Sequence, residues 1–138
     1  MKKGFEIGQS NEIIKTGKIY DLHNIYEFIG VFLNAKKRRL RLLFEPRTEY
    51  RKHQLSITLS FEEIDYLEFS ANFGSRVISG LDEIGYKTPE DRDDKWLMNE
   101  QQATPNDHLF FRMDGGEFIR IHCQNADLFE TAKLTSIY

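Results

Sequence analysis

Cysteine occurs once in the 138 residues, at Cys123, so no disulfide can form within the chain. No apolar run approaches the ~20 residues that a membrane-crossing helix needs. Met1-Lys2-Lys3 is followed by Gly-Phe-Glu rather than by an apolar stretch, so a cytoplasmic location without membrane contact is expected. Chemistry-bearing motifs are scarce as well. Gly-x-Ser-x-Gly and a Walker-type lysine loop are missing, and Gly115-Gly116 sits in a hairpin pattern rather than at a helix start. His23, His53, His108 and His122 show no metal-ligand spacing, and Cys123 is a lone thiol. No catalytic residue, metal site or cofactor is assigned, and the expected protein is not an enzyme.

Aromatic residues, by contrast, are plentiful. Eleven Phe and six Tyr exclude a disordered chain, and 138 residues fit one domain with a sizeable core, taken as residues 1–138. In Leu55-Ser-Ile-Thr-Leu-Ser-Phe61 apolar residues fall at every second position, the period of a half-buried strand. Arg39-Leu-Arg-Leu-Leu-Phe44 alternates similarly, with Leu40, Leu42 and Phe44 inward, until Pro46 ends it. Ile25–Asn34 carries apolar residues on both faces, which suits a central or long twisted strand. Asn34-Ala-Lys-Lys37 would turn it back into Arg38–Glu45.

Tyr66–Phe69 follows a break or bulge at Glu62-Glu63, and Leu109–Met113 and Phe118–Cys123 flank the hairpin signature Asp114-Gly115-Gly116. Leu128–Thr131 adds a short last strand. Ser10–Ile14 suggests a brief helical turn capped by Ser10, and residues 76–84 are compatible with helix or strand. The expectation is a mainly β, single-domain antiparallel β-sandwich or strongly curved sheet with little helix. Cys123 alternates with Ile119 and Ile121 and reads as a buried small hydrophobe, with neighbouring His122 on the opposite face.

The charge is unevenly distributed. Residues 1–60 hold twelve Lys/Arg against six Asp/Glu (+6), and residues 61–138 hold seven against sixteen (−9), giving the net −3. Complementary strands of one sheet, or two surfaces that steer partners, would each produce such a split. The run Lys36-Lys-Arg-Arg39 with Arg41 reads as a solvated hairpin tip that protects an edge strand, rather than as a nucleic-acid site, given a pI near 5.8. Arg38–Glu45, taken as such an edge, leaves room for a homodimer.

From Gly85 to Asp107 the periodicity stops. A long acidic loop, about 85–107, carries Pro89, Pro105, Glu90, Asp91, Asp93, Asp94, Glu100 and the only tryptophan, Trp96. Structureless connections of this length are usually functional or disordered. Aromatics concentrate binding energy at protein interfaces, and complementary charge speeds encounter. Asp82, Glu83, Tyr86, Glu90, Asp91, Asp93, Asp94 and Trp96 are therefore the candidate partner-binding residues, and a basic protein is the expected partner. The alternative is a small-ligand-binding β protein with an apolar pocket in its curved sheet.

Asp21-Leu-His-Asn24, a basic-tipped hairpin, Leu55-Ser-Ile-Thr-Leu-Ser-Phe61-Glu-Glu-Ile-Asp-Tyr-Leu67, Phe118-Ile-Arg-Ile-His-Cys123 and the end Thr135-Ser-Ile-Tyr138 occur in that order. This arrangement resembles the mostly β predicted immunity proteins of bacterial polymorphic-toxin systems, over about two thirds of the chain and excluding Gly85–Asp107. The resemblance implies a non-enzymatic cytoplasmic binder that occludes the site of a cognate toxin, and it transfers no individual site residue.

Overall fold

The computed structural model describes residues 1–131, so the end Thr135–Tyr138 lies outside the described residues. The described chain is built from ten strands and two 3-10 turns, a mainly β fold as expected. The strands are β1 (Lys2–Lys3), β2 (Glu6–Ile7), β3 (Ile13–Lys15), β4 (Lys18–Tyr20), β5 (Tyr26–Asn34), β6 (Arg39–Pro46), β7 (Ser56–Phe69), β8 (Leu81–Lys87), β9 (His108–Met113) and β10 (Phe118–Thr131). Seven of them form one strongly curled half-barrel in the order β5-β6-β7-β10-β9-β8, with β1 parallel to β10. The three short strands β2-β3-β4 form a second antiparallel sheet.

Alternation places the core. Leu40, Leu42 and Phe44 of β6, Ile57, Leu59 and Phe61 of β7, Phe111 of β9 and Ile119, Ile121 and Cys123 of β10 are all fully buried on one face. Phe5, Ile7, Ile13, Tyr20 and Leu22 join the same apolar cluster, so the small sheet packs into the hollow of the large one. Edge-on aromatic contacts, Phe28 with Phe44 and Phe61 with Phe111, fill the space between strands. Between β9 and β10 the expected hairpin forms, and Gly115 and Gly116 both take the positive φ that glycine tolerates.

Several elements differ from expectation. Ser10–Ile14 is not a helical turn but the end of the hairpin turn after β2 and the start of β3. Asn11 at φ 62 breaks any helix there, and Ile13 is drawn into the core by strand pairing. Tyr66–Phe69 and Leu128–Thr131 are not separate strands but the ends of β7 and β10, fourteen residues each, which pair along their length. Of the break or bulge expected at Glu62-Glu63, the structure has a bulge close by: Glu63 takes φ 54, and Asp65 is the extra residue between the pairs Ile64–Cys123 and Tyr66–His122. Residues 76–80 are irregular, and the strand begins only at Leu81.

The edge assignment is reversed. Ile25–Asn34 contributes the outermost strand β5, whereas β6, expected at an edge, lies between β5 and β7. Leu43, on the face opposite Leu42, is fully buried as well, which is how an interior strand reads. Pairing between chains through Arg38–Glu45 is therefore unavailable.

Gly85 admits a crossing segment over β8. A Cβ built there would stand 2.6 Å from Leu97 Cβ and 2.8 Å from the Met98 carbonyl oxygen. Gly85→Ala is expected to lower stability by roughly 1–3 kcal/mol through this clash, read as a reduced urea midpoint with an unchanged m-value.

Candidate functional site

The strand registers gather one set of side chains on the outer face of the half-barrel. Lys87 lies opposite His108, Phe110 opposite Arg120, Arg120 opposite Glu68, and His122 opposite Tyr66. Residues facing away from a core normally meet water, yet Arg120 is 2% exposed and Lys87 1%. The segment after β8 folds back over them.

Arg120 holds that segment by its main chain. Its Nε donates to His108 Nδ1 (2.9 Å), Nη1 to the Asp91 carbonyl (2.6 Å) and Nη2 to the Thr88 carbonyl (2.8 Å), and the guanidinium lies 5.9 Å from the Tyr66 ring centroid. A guanidinium carries five donors in a fixed fork, so one side chain satisfies several carbonyls that a turn would otherwise leave to solvent. Lys87 holds it by side chains, donating to Asp91 Oδ2 (2.9 Å) and Asp93 Oδ1 (2.8 Å). Burial alone would depress the Lys87 ammonium, but the two carboxylates outweigh it and keep its pKa above the ordinary value. Arg112 adds a third tie, with a hydrogen bond to the Asp94 carbonyl and ion pairs to Glu83 (3.3 Å) and Asp94 (3.7 Å).

The far end of the loop is fixed as firmly. Met98 exchanges two backbone hydrogen bonds with Tyr86, at 3.0 and 2.8 Å. Glu100 accepts from the Ile7 amide, the Tyr86 hydroxyl and Lys3 Nζ, at 2.8, 2.7 and 3.1 Å. Burial, then that carboxylate, pushes the Tyr86 phenol well above its usual range. Between the two anchorages stands Trp96, 84% exposed.

The candidate residues thus separate into three groups. Tyr86 is buried beneath the loop rather than displayed on it, because its ring completes the core row of β8 and its hydroxyl finds Glu100. Asp91, Asp93, Asp94 and Glu83 lie near the surface with their charge met by Lys87 and Arg112. Asp82, Glu90 and Trp96 remain outward, and the two carboxylates have no ion-pair partner among the described residues. Arg120, Lys87 and His108 were not foreseen as the supports of this loop. Alternation with Ile119 and Ile121 marks Arg120 as outward, and nothing local announces that a distant segment will cover it.

Beside Arg120 the two histidines are held differently. His108 stacks on Tyr66 with centroids 4.4 Å apart, and its Nδ1 accepts from Arg120, which requires the neutral ring. Burial first, and then the Arg120 charge, lowers its pKa to about 4. His122 has an oxygen within hydrogen-bond reach of each ring nitrogen, Asp65 Oδ1 at 2.6 Å and the Pro105 carbonyl at 3.0 Å. Burial would raise the Asp65 pKa, but the His122 hydrogen bond and charge, with Gln124, bring it below the ordinary value. Nδ1 of His108 and both nitrogens of His122 are thus engaged within the fold. Cys123 is fully buried on the other face, its thiol pushed up to about 12, mainly by burial.

Among the described residues, no three His, Cys, Asp or Glu side chains are placed to hold a metal ion. Phe44, Phe61 and Phe111 are fully buried in the core cluster. The cleft beside the loop, about 170 Å³, is lined by polar groups of Lys3, Glu100, Thr104 and Asp107 as well as by Met1 and Ala103. Among the described residues, no helix is long and apolar enough to cross a membrane. No family model, curated protein or solved structure matches the chain.

Two outcomes are expected. Arg120→Met strips donors from two half-buried carbonyls and from His108, so stability should fall by roughly 1–3 kcal/mol, with amide exchange over residues 88–95 accelerating more than elsewhere. In the unfolded chain His108 titrates near ~6.5 and in the fold at about 4. The unfolded state therefore takes the proton first, and stability present above that upper value is lost as pH falls towards the lower. Asp65 and Glu68, both held below their ordinary values, lose their contribution only in more acid solution. His108→Asn keeps an acceptor for Arg120 and should flatten this limb in urea midpoints measured from neutral to mildly acid pH.

Proposed function

We propose that this chain is a non-enzymatic protein-binding domain that uses the crest of the 88–107 loop as its contact. The carrying observation is the exposure of Trp96 between two anchorages, Arg112 holding Asp94 on one side and Tyr86 pairing with Met98 on the other. A main chain anchored on both sides of a large aromatic loses less entropy on association than a free loop would, and buried Trp dominates many interfaces. Asp82 and Glu90 add negative charge without an internal partner among the described residues, which suits a basic partner. Together with the resemblance to polymorphic-toxin immunity proteins, this supports a cytoplasmic immunity protein that blocks the site of a cognate toxin by covering it. A rigid crest inserted at a phosphate-binding cleft would exclude substrate without any chemistry of its own.

The test is to look for a toxin reading frame beside this gene, co-express its product with this protein and titrate the purified pair. Wild-type protein should rescue growth and bind at a rate that falls as salt rises. Trp96→Ala should weaken binding by about tenfold or more while leaving the urea midpoint within ~0.5 kcal/mol of wild type. Full protection and unchanged affinity in Trp96→Ala, and again when Asp82 and Glu90 are neutralised, would remove this surface from the contact.

A further inference from the structure

The two edges of the half-barrel are finished differently. On β8 the Ile84 amide donates to Asn11 Oδ1 (3.1 Å), and Tyr86 is paired in both directions with Met98. On β5 the closure is partial: the Phe28 amide donates to the Ser79 carbonyl (2.9 Å). The register then shifts between Phe28 and Gly30. From Gly30 to Asn34 no main-chain group of the described residues pairs along the outer side of the strand.

That open stretch, Gly30-Val-Phe-Leu-Asn34, contains no charge and no proline, the usual protections of an edge. Phe32 and Leu33, on opposite faces, are 49% and 48% exposed, and nothing stands within 4 Å of a Cβ built on Gly30. Charge gathers at both of its ends. Lys36, Lys37 and Arg38 are exposed at the hairpin tip, and neither they nor Arg41, opposite Phe32, meet a carboxylate among the described residues. At the other end lie Arg51, 3.5 Å from Glu27, and Arg47, 3.3 Å from a Cβ built on Gly80.

We infer that this edge receives an extended, acidic segment of another protein as an added strand. Its main chain would complete the ladder along Gly30–Asn34, its apolar side chains would cover Phe32 and Leu33, and flanking carboxylates would meet the cations at either end. A second copy of the chain fits poorly. Parallel pairing sets one hairpin tip against the other, and antiparallel pairing carries each tip towards Arg47 and Arg51. The surface lies at the opposite end of the sheet from Trp96 and does not rest on the proposed toxin contact.

The probe is a synthetic nine-residue peptide with three central β-branched residues flanked by glutamates, compared with a lysine-flanked version and with one N-methylated at alternate backbone nitrogens. The glutamate peptide should bind, slow amide exchange at Gly30–Asn34, and weaken as salt rises. N-methylation should abolish this protection. Lys36→Glu combined with Lys37→Glu should cut the affinity about tenfold and transfer preference to the lysine-flanked peptide. These positions are exposed turn residues, so the variant should keep the wild-type urea midpoint. Equal binding of the N-methylated peptide, no protection at Gly30–Asn34, or dimerisation of the protein through this strand without peptide would each overturn the proposal.

Discussion

Arg120 is a cation removed from water and held mainly by main-chain carbonyls of a segment some thirty residues earlier in sequence. Removing a charge from solvent is costly unless its donors are met, and here the structure meets them by bending residues 88–91 over the outer face of β10. Carbonyls share that burden without introducing a second buried charge, while Lys87, at the end of β8, takes the carboxylates of Asp91 and Asp93. The irregular stretch acquires a defined path because the sheet beneath it supplies donors in fixed positions. The placement of Trp96, and any binding role it has, follows from that path.

The charge asymmetry has a similar physical resolution. Lys3 pairs with Glu100, Lys15 with Asp127, Lys18 with Glu130 and Arg39 with Glu62, each a basic residue of the first sixty against an acidic residue of the remainder. The topology makes this natural, since the N-terminal strands and β6 lie against β7, β10 and the loop after β8. A charge imbalance along the chain thus becomes local neutrality across much of the folded surface. The cations at Lys36–Arg38 stand out because this compensation does not reach them.

What could be read in advance follows how local each cause is. Alternation at Leu40–Phe44, Ile57–Phe61 and Ile119–Cys123 depends on nearest neighbours, so the strands, their inward faces and the buried Cys123 were legible. The turns at Asn34–Lys37 and Asp114–Gly116 were legible for the same reason. Which strand lies outermost depends on what pairs with it from elsewhere, and apolar residues on both faces of Ile25–Asn34 indicated burial that the topology does not provide. The loop acids showed as a cluster in sequence, but their neutralisation by Lys87 and Arg112 depends on the fold of the segment around Gly85. Tyr86 was read as part of the loop because periodicity was lost at Gly85, two residues before β8 ends.

The long strand β10 also governs assembly. It is the shared neighbour of β7 along nearly its whole length, of β9 at its start and of β1 at its middle. Pairing Lys2 with Asn125 spans almost the entire described chain, and loops that large close slowly. Until residues 118–131 leave the ribosome, β7 has an open flank and β1 has nothing to join. The nascent protein therefore exposes a fourteen-residue ribbon during synthesis, and the interval before β10 arrives is when aggregation or chaperone capture would compete with folding.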